Sequence, residues 1–432
     1  MEVKEHSNIK ERIYFEELDN GLHVYLIHKP GFNKTYAAFT TKYGSIDHEF
    51  VPLGRNEMTH VPDGIAHFLE HKMFEKKDYD VFEKFSSHSG SANAFTSFTR
   101  TSYLFSCTSD LEENLTTLLD YVQDPYFTPE TVEKEKGIIA QEIRMYDDNP
   151  DFKAYFGIIN NLFEHHPVKI DIAGTVDSIQ DITADLLYEC YHTFYHPSNM
   201  IMFVIGDMDT ERIGELIRTN QNAKDYKKVP PIPRDYPEES PYAKIKERTE
   251  EMEIGTAKVL VGIKDVGSGR EGKELLKADL IVEIILDLMF GGSSDYYESM
   301  LNKGLINDSF SFETTFEPSF GFSIVGGDTK YPDQLGESLL ETLQGTPAIK
   351  FNEDEFLRIK KKKMGRFLTA LNSVEFIANQ FTQYMFNDID LFSIIDVIDE
   401  ITITDLHEMA KNYFLTERMS VYKLVPRTKV SP

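Results

Sequence analysis

The sequence predicts an α+β protein of two related domains, each a mostly antiparallel β-sheet flanked by α-helices. Three observations predict it. A chain of 432 residues exceeds what one ordinary hydrophobic core serves. Three segments of the first half return in the same order in the second, each shifted by roughly 220 residues. Short β-branched and aromatic runs alternate with helix-period runs, and neighbouring strands lie close enough to form hairpins.

The repeats are specific. AHFLEHKMFEKKDYD from Ala66 is matched by VEIILDLMFGGSSDYY from Val282, both carrying a Met-Phe pair, Met73-Phe74 and Met289-Phe290. FTPETVEKEK from Phe127 is matched by FNEDEFLRIK from Phe351, and TADLLYECYHTFY from Thr183 by TITDLHEMAKNYF from Thr402. Between the halves, residues 222–246 are rich in proline and charge without a sustained apolar period, and read as a linker. The expected organisation is therefore a first domain over 1–221, a linker over 222–246 and a second domain over 247–432.

Within the first half, 22–27 and 36–41 read as strands on either side of a Pro-Gly loop. Residues 65–74 and 79–87 read as helices, and 94–107, rich in aromatic and β-branched residues, as a strand. Helices follow at 111–124 and 129–147, and 200–205 closes the half as a buried strand. Cys107 and Cys190 lie in apolar contexts and read as buried structural thiols.

The formal charge of −27 disfavours nucleic acid and anionic membrane surfaces, and suits basic or neutral peptides. The N-terminus is charged, without the apolar stretch a signal peptide needs. No run of about 18 apolar residues is present, so no membrane-spanning helix is expected. A cytoplasmic location is the simplest expectation.

The chemistry is concentrated in His67-Phe68-Leu69-Glu70-His71. Residues four apart share a helix face, so both imidazoles can reach one ion, and imidazole nitrogen suits Zn²⁺. Glu70 projects near that face, where it can take a proton from water if it is not itself a ligand. A catalytic zinc needs a third protein ligand. The helix Glu133–Glu142 offers Glu135 and Glu142, two turns apart on one side, with Ile138 and Ile139 between them to hold that side against the core. His60, His88, His165, His166, His192 and His196 fall at no ligand spacing. Gly291-Gly292-Ser293-Ser294 follows a helix instead of opening one from a strand, so it is no phosphate loop.

These motifs resemble the inverzincins, the zinc metallopeptidases that include pitrilysin, insulin-degrading enzyme and mitochondrial processing peptidase. The likeness is to a half-size, bacterial processing-peptidase-like member, and it covers most of the chain. It implies two domains arranged as a clam around a chamber, with Zn²⁺ held by His67, His71 and Glu142. It makes Glu70 the base and Glu135 a supporting acidic residue. The segment Gly90–Thr96 resembles the family's substrate-pairing edge strand, which implies that Asn93 and Ala94 bind the peptide backbone.

Aligned at the Met-Phe pairs, His67, Glu70 and His71 fall opposite Glu283, Leu286 and Asp287, and the later pairing of Phe127 with Phe351 places Glu142 opposite Arg366. One metal site per chain follows. The family's second domain supplies an arginine and a tyrosine to the oxyanion, and here those positions fall on Met300 and Asn307. Tyr296, Tyr297 or Lys303 could substitute, or a homologous partner chain in a heterodimer could supply the pair; a homodimer is the other assembly. The resemblance thus implies a zinc endopeptidase acting on peptides or unfolded segments. The alternative is a non-catalytic peptide-binding or scaffold subunit of the same fold.

Overall fold

The computed structural model describes residues 1–7, 9–265 and 269–427. The described chain forms two compact units. The first comprises Met1–Ile143, Asp171–Asp235 and Leu368–Phe386; the second comprises Arg144–Ile170, Tyr236–Phe367 and the chain from Asn387 onward.

The strands of the first unit are β1 (Glu2–His6), β2 (Glu11–Glu17), β3 (His23–His28), β4 (Thr35–Thr41), β5 (Glu49–Phe50), β6 (Thr59–His60), β7 (Gly90–Thr96), β8 (Thr101–Cys107) and β9 (Met200–Gly206). Seven of them form one sheet in the order β1-β2-β3-β9-β4-β8-β7, with β5 and β6 a separate pair. Only β3 and β9 pair in parallel among them. Alternation decides the faces. Val24, Leu26, Met202 and Val204 enter the main core with the helices Leu111–Val122 and Thr210–Asn222. Their neighbours Tyr25 and Phe203 point the other way, onto Phe381 of the helix Val374–Met385, at ring-centroid distances of 5.0 and 4.9 Å. With both faces covered, β9 is buried at every position, as its unbroken apolar run requires.

The second unit carries β10 (Glu247–Met252), β11 (Ala257–Asp265), β12 (Ser311–Phe316), β13 (Gly321–Thr329) and β14 (Met419–Pro426), in the order β10-β14-β11-β13-β12. Here β10 and β14 are the parallel pair. The helix Pro150–Leu162 lies on β11 and β14, and the approach is close. A Cβ on Gly157 would meet the Tyr422 ring at 2.4 Å, so only glycine fits there.

The units depart from the linear halves of the sequence in one respect. The helix Pro150–Leu162, from the first half, belongs to the second unit. Its counterpart in the repeat, Val374–Met385, belongs to the first. Each amphipathic helix buries its apolar face on a sheet that the other half of the sequence builds.

The chain passes between units at Asp235–Tyr236, within the proline-rich stretch, which is pinned at both ends. In the first unit the Arg234 Nε donates to Asp47 Oδ1 at 2.8 Å. In the second, Glu239 accepts three consecutive main-chain N–H groups, from Glu164, His165 and His166, and the Lys264 ammonium at 2.6 Å.

The segment 94–107 is not one strand but the hairpin β7–β8. Ser97 and Arg100 close its turn by a main-chain bond of 2.8 Å and by the Ser97 hydroxyl, which accepts from the Arg100 N–H at 3.2 Å. Side-chain capping replaces the glycine or proline that would have marked the turn in the sequence. Cys107 and Cys190 are buried free thiols, as expected.

Candidate metal centre

The histidine helix, Ile65–Met73, starts where it does because Gly64 turns the chain at φ +86°, against the Ala173 carbonyl. A Cβ there would sit 2.3 Å from that oxygen. Phe68 and Leu69 are fully buried and hold the helix to the core. The opposite face carries His67 and His71, whose rings lie 4.6 Å apart. His67 and Glu70 are themselves buried, and His71 is half-buried.

The glutamate helix, Pro129–Asp147, is anchored by Val132, Lys136, Ile139, Ala140 and Ile143. Ile138 is not among them: it is 47% exposed, a correction to the expectation that both isoleucines face inward. Adjacent helix positions differ by about 100°, so Ile139 alone shares the buried side with Val132 and Ile143.

The two helices bring three donor groups together. The Glu142 carboxylate lies 3.4 Å from His71 Nε2 and 3.8 Å from His67 Nε2. One ligand atom from each of the three residues lies within 4.8 Å of the others, and this is the group of such side chains found among the described residues. Ligand atoms at ~2.0–2.1 Å from a tetrahedral zinc lie about 3.4 Å from one another, so the set fits that ion. On the far side of the ring, His71 Nδ1 and Glu135 Oε1 are 3.1 Å apart. A carboxylate accepts there, so Nδ1 carries the proton and Nε2 keeps its lone pair toward Glu142.

Electrostatics follow from burial and neighbours. Burial, with His71 close by, pushes His67 down to about 4, so its ring is neutral and free to ligate. Burial raises Glu70. Burial would lower His71, but its bond to Glu135 and the charges of Glu70 and Glu142 outweigh this and raise it. Glu135 is opposed by burial yet held below the usual range by its bond to His71. Glu70 does not join the three donors; its Oε2 accepts a 2.7 Å hydrogen bond from the Thr96 hydroxyl. The sequence marks no role for Thr96, because nothing local links a strand threonine to a helix carboxylate 26 residues earlier.

Asn93 and Ala94 stand on β7, at the sheet's edge. Ser97 and Arg100 form a hydrogen-bonded pair, so the main-chain groups of residues 96 and 94 alternate away from β8. The Ala94 N–H donates to the Asn93 side-chain oxygen at 2.9 Å.

In the second unit, Met300 is 6% exposed, with the Ser338 hydroxyl 3.6 Å from its sulfur. Asn307 accepts the Ser309 N–H at 2.8 Å and so closes its own turn. Tyr296 bonds Ser338 at 3.2 Å, Tyr297 packs by Phe310, and Lys303 is exposed. Of the histidines outside the site, His166 and His196 accept main-chain N–H groups, and His60 pairs with Glu49.

Comparison with known proteins gives a consistent picture. Residues 51–176 match the insulinase (peptidase family M16) domain, and residues 181–363 match the peptidase M16 inactive domain. The chain is 54% identical over 424 residues to the uncharacterized zinc protease YmfH of Bacillus subtilis (strain 168), covering 98% of this chain and 99% of that one. It is 26% identical to YmxG of the same organism, also named an uncharacterized zinc protease, over 75% of this chain and 78% of that one. Among solved structures, an M16-like peptidase from Alicyclobacillus acidocaldarius superposes with a TM-score of 0.93 at 38% identity, covering 96% of this chain and 98% of that one.

Proposed function

Because the chain belongs to the insulinase (M16) family of peptidases, we propose that it is a zinc-dependent endopeptidase acting on peptides or unfolded segments. The observation that carries this reading is the convergence of one ligand atom from each of His67, His71 and Glu142 within 4.8 Å, with Glu70 beside them and outside the set. His67, His71 and Glu142 would hold the ion, and Glu135 would fix the His71 tautomer. Zinc, when bound, supplies a Lewis acid for the peptide carbonyl and acidifies water. Glu70 then accepts the proton of the attacking water and returns it to the departing amine, a role its burial suits by raising its proton affinity. Asn93 and Ala94 would receive the substrate backbone along the β7 edge, where an extended peptide needs little sequence specificity. The Asn93 side chain would first have to leave the Ala94 N–H.

Met300 and Asn307 support the view that oxyanion donors come from a homologous partner chain, since the first is buried and the second is committed to its own turn. A cytosolic setting is supported by the two buried free thiols. No helix among the described residues is long and apolar enough to cross a membrane.

The test is metal analysis joined to turnover. Purified chain should carry about one zinc, and His67→Ala or Glu142→Ala should empty the site. Glu70→Gln should keep the metal and lose hydrolysis by roughly three decades or more. Two zincs per chain, or metal loss in Glu70→Gln matching that in His71→Ala, would overturn the assignment.

A further inference from the structure

We infer that Thr96 is a positioning residue for Glu70, and that it keeps the carboxylate available as a base instead of a fourth ligand. This deepens the peptidase reading and rests on it.

The argument is a count of protons. Thr101 is fully buried, and its hydroxyl donates to the Tyr43 carbonyl at 2.9 Å, which uses the one proton it has. Toward Thr96, 3.3 Å away, Thr101 can therefore only accept. Thr96 also has one proton and two acceptors within reach: Thr101 at 3.3 Å and Glu70 Oε2 at 2.7 Å. The shorter bond, to an ionised acceptor, is the stronger. Glu70 Oε2 is thus tied to the start of the β7–β8 turn, and Oε1 is left as the oxygen for the reaction.

Released from Thr96, the Glu70 carboxylate would lie beside an ion held by its neighbour His71, and a free carboxylate there becomes a competing ligand.

The test uses the full chain, with a partner chain where one is needed for turnover, and also with Co²⁺ in place of zinc. Thr96→Val should lower kcat roughly 10- to 100-fold with KM within about twofold, and Thr96→Ser should recover to within about threefold. Added to Glu70→Gln, Thr96→Val should cost nothing further, since the two act as one unit. In the Co²⁺ protein, Thr96→Val should change the visible d–d bands, and the Glu70→Gln/Thr96→Val pair should restore them. Thr96→Ala serves if the valine variant does not fold. Wild-type kcat with an unchanged Co²⁺ spectrum in a folded Thr96→Val or Thr96→Ala protein overturns the positioning role alone. A wild-type chain that binds neither zinc nor Co²⁺ overturns the peptidase reading, and this role with it. If metal binds but no peptide is turned over, the spectrum decides by the same criterion.

Discussion

The helix pair that presents His67, His71 and Glu142 has a counterpart in the second unit, and the two satisfy their charges in opposite ways. In the first unit, the two imidazoles and the Glu142 carboxylate face one another at 3.4 and 3.8 Å. In the second, Glu283 and Asp287 stand on the helix Gly272–Phe290 where the histidines stand in the first. They are met by lysines of the helix Glu353–Ala370: Lys362 donates to both Asp287 oxygens at 2.7 and 2.9 Å, and Lys363 pairs with Glu283. The second site pairs its carboxylates with lysines; the first sets its carboxylate against two imidazoles. A common scaffold thus carries a candidate metal cradle in one unit and an ion-pair cluster in the other, depending on a few side chains.

The edge strands repeat the theme. Thr96 on β7 donates to Glu70, and Thr314 on β12 donates to Asp279 at 2.5 Å. Asp279 stands seven residues before Leu286, the position aligned with Glu70, so the two bonds are not equivalent, and the kcat and Co²⁺ measurements test whether the one at Glu70 serves catalysis.

The largest effect that would break this comparison concerns catalysis. If the second unit has lost its oxyanion donors along with its ligands, the isolated chain should turn over unstructured peptides two to three decades slower than with a homologous chain bearing the arginine and tyrosine. This corresponds to about 3–4 kcal/mol. Turnover of several per second by the chain alone would show that it has donors of its own, with Tyr296, Tyr297 and Lys303 the first to mutate.

The next effect is on stability. Asp287 is 3% exposed, so Lys362→Met strands a buried charge and should cost about 3 kcal/mol in chemical denaturation. Asp287→Asn combined with Lys362→Met should recover most of that. A Lys362→Met loss below about 0.5 kcal/mol would show that the pair is solvated like a surface bridge.

Two carboxylates of the second unit sharpen the point through opposite pH dependence. Four donors hold Glu239 down to about 2 despite its burial. Its contribution is complete above the unfolded value near 4.5 and fades as pH falls toward 2, and Glu239→Gln should remove about 2 kcal/mol at neutral pH. Burial pushes Asp279 up to about 7, with only Thr314 and Lys363 opposing. The folded chain then favours the protonated form, so stability declines as pH rises from about 4 through 7 and levels off above. Asp279→Asn should flatten that decline and gain about 1 kcal/mol at neutral pH. A decline that survives the substitution would assign it to another group.

The sequence by itself determined what depends on short-range periodicity. The i, i+4 spacing of His67 and His71 puts both on one helix face wherever that helix lies. The unbroken apolar run of β9 requires a strand buried on both sides. The three repeated segments required two related units. Tertiary structure decided what depends on packing between distant segments. Helical period left Glu135 and Glu142 equivalent; only the approach of the two helices placed one at His71 Nδ1 and the other at Nε2. The same approach turned Ile139 inward and left Ile138 exposed. The exchange of Pro150–Leu162 and Val374–Met385 between units could not be read locally, because an amphipathic helix specifies an apolar partner and not which sheet provides it. The bond from Thr96 to Glu70 was hidden for a related reason: a hydroxyl acquires a role only when the folded chain sets an acceptor within reach.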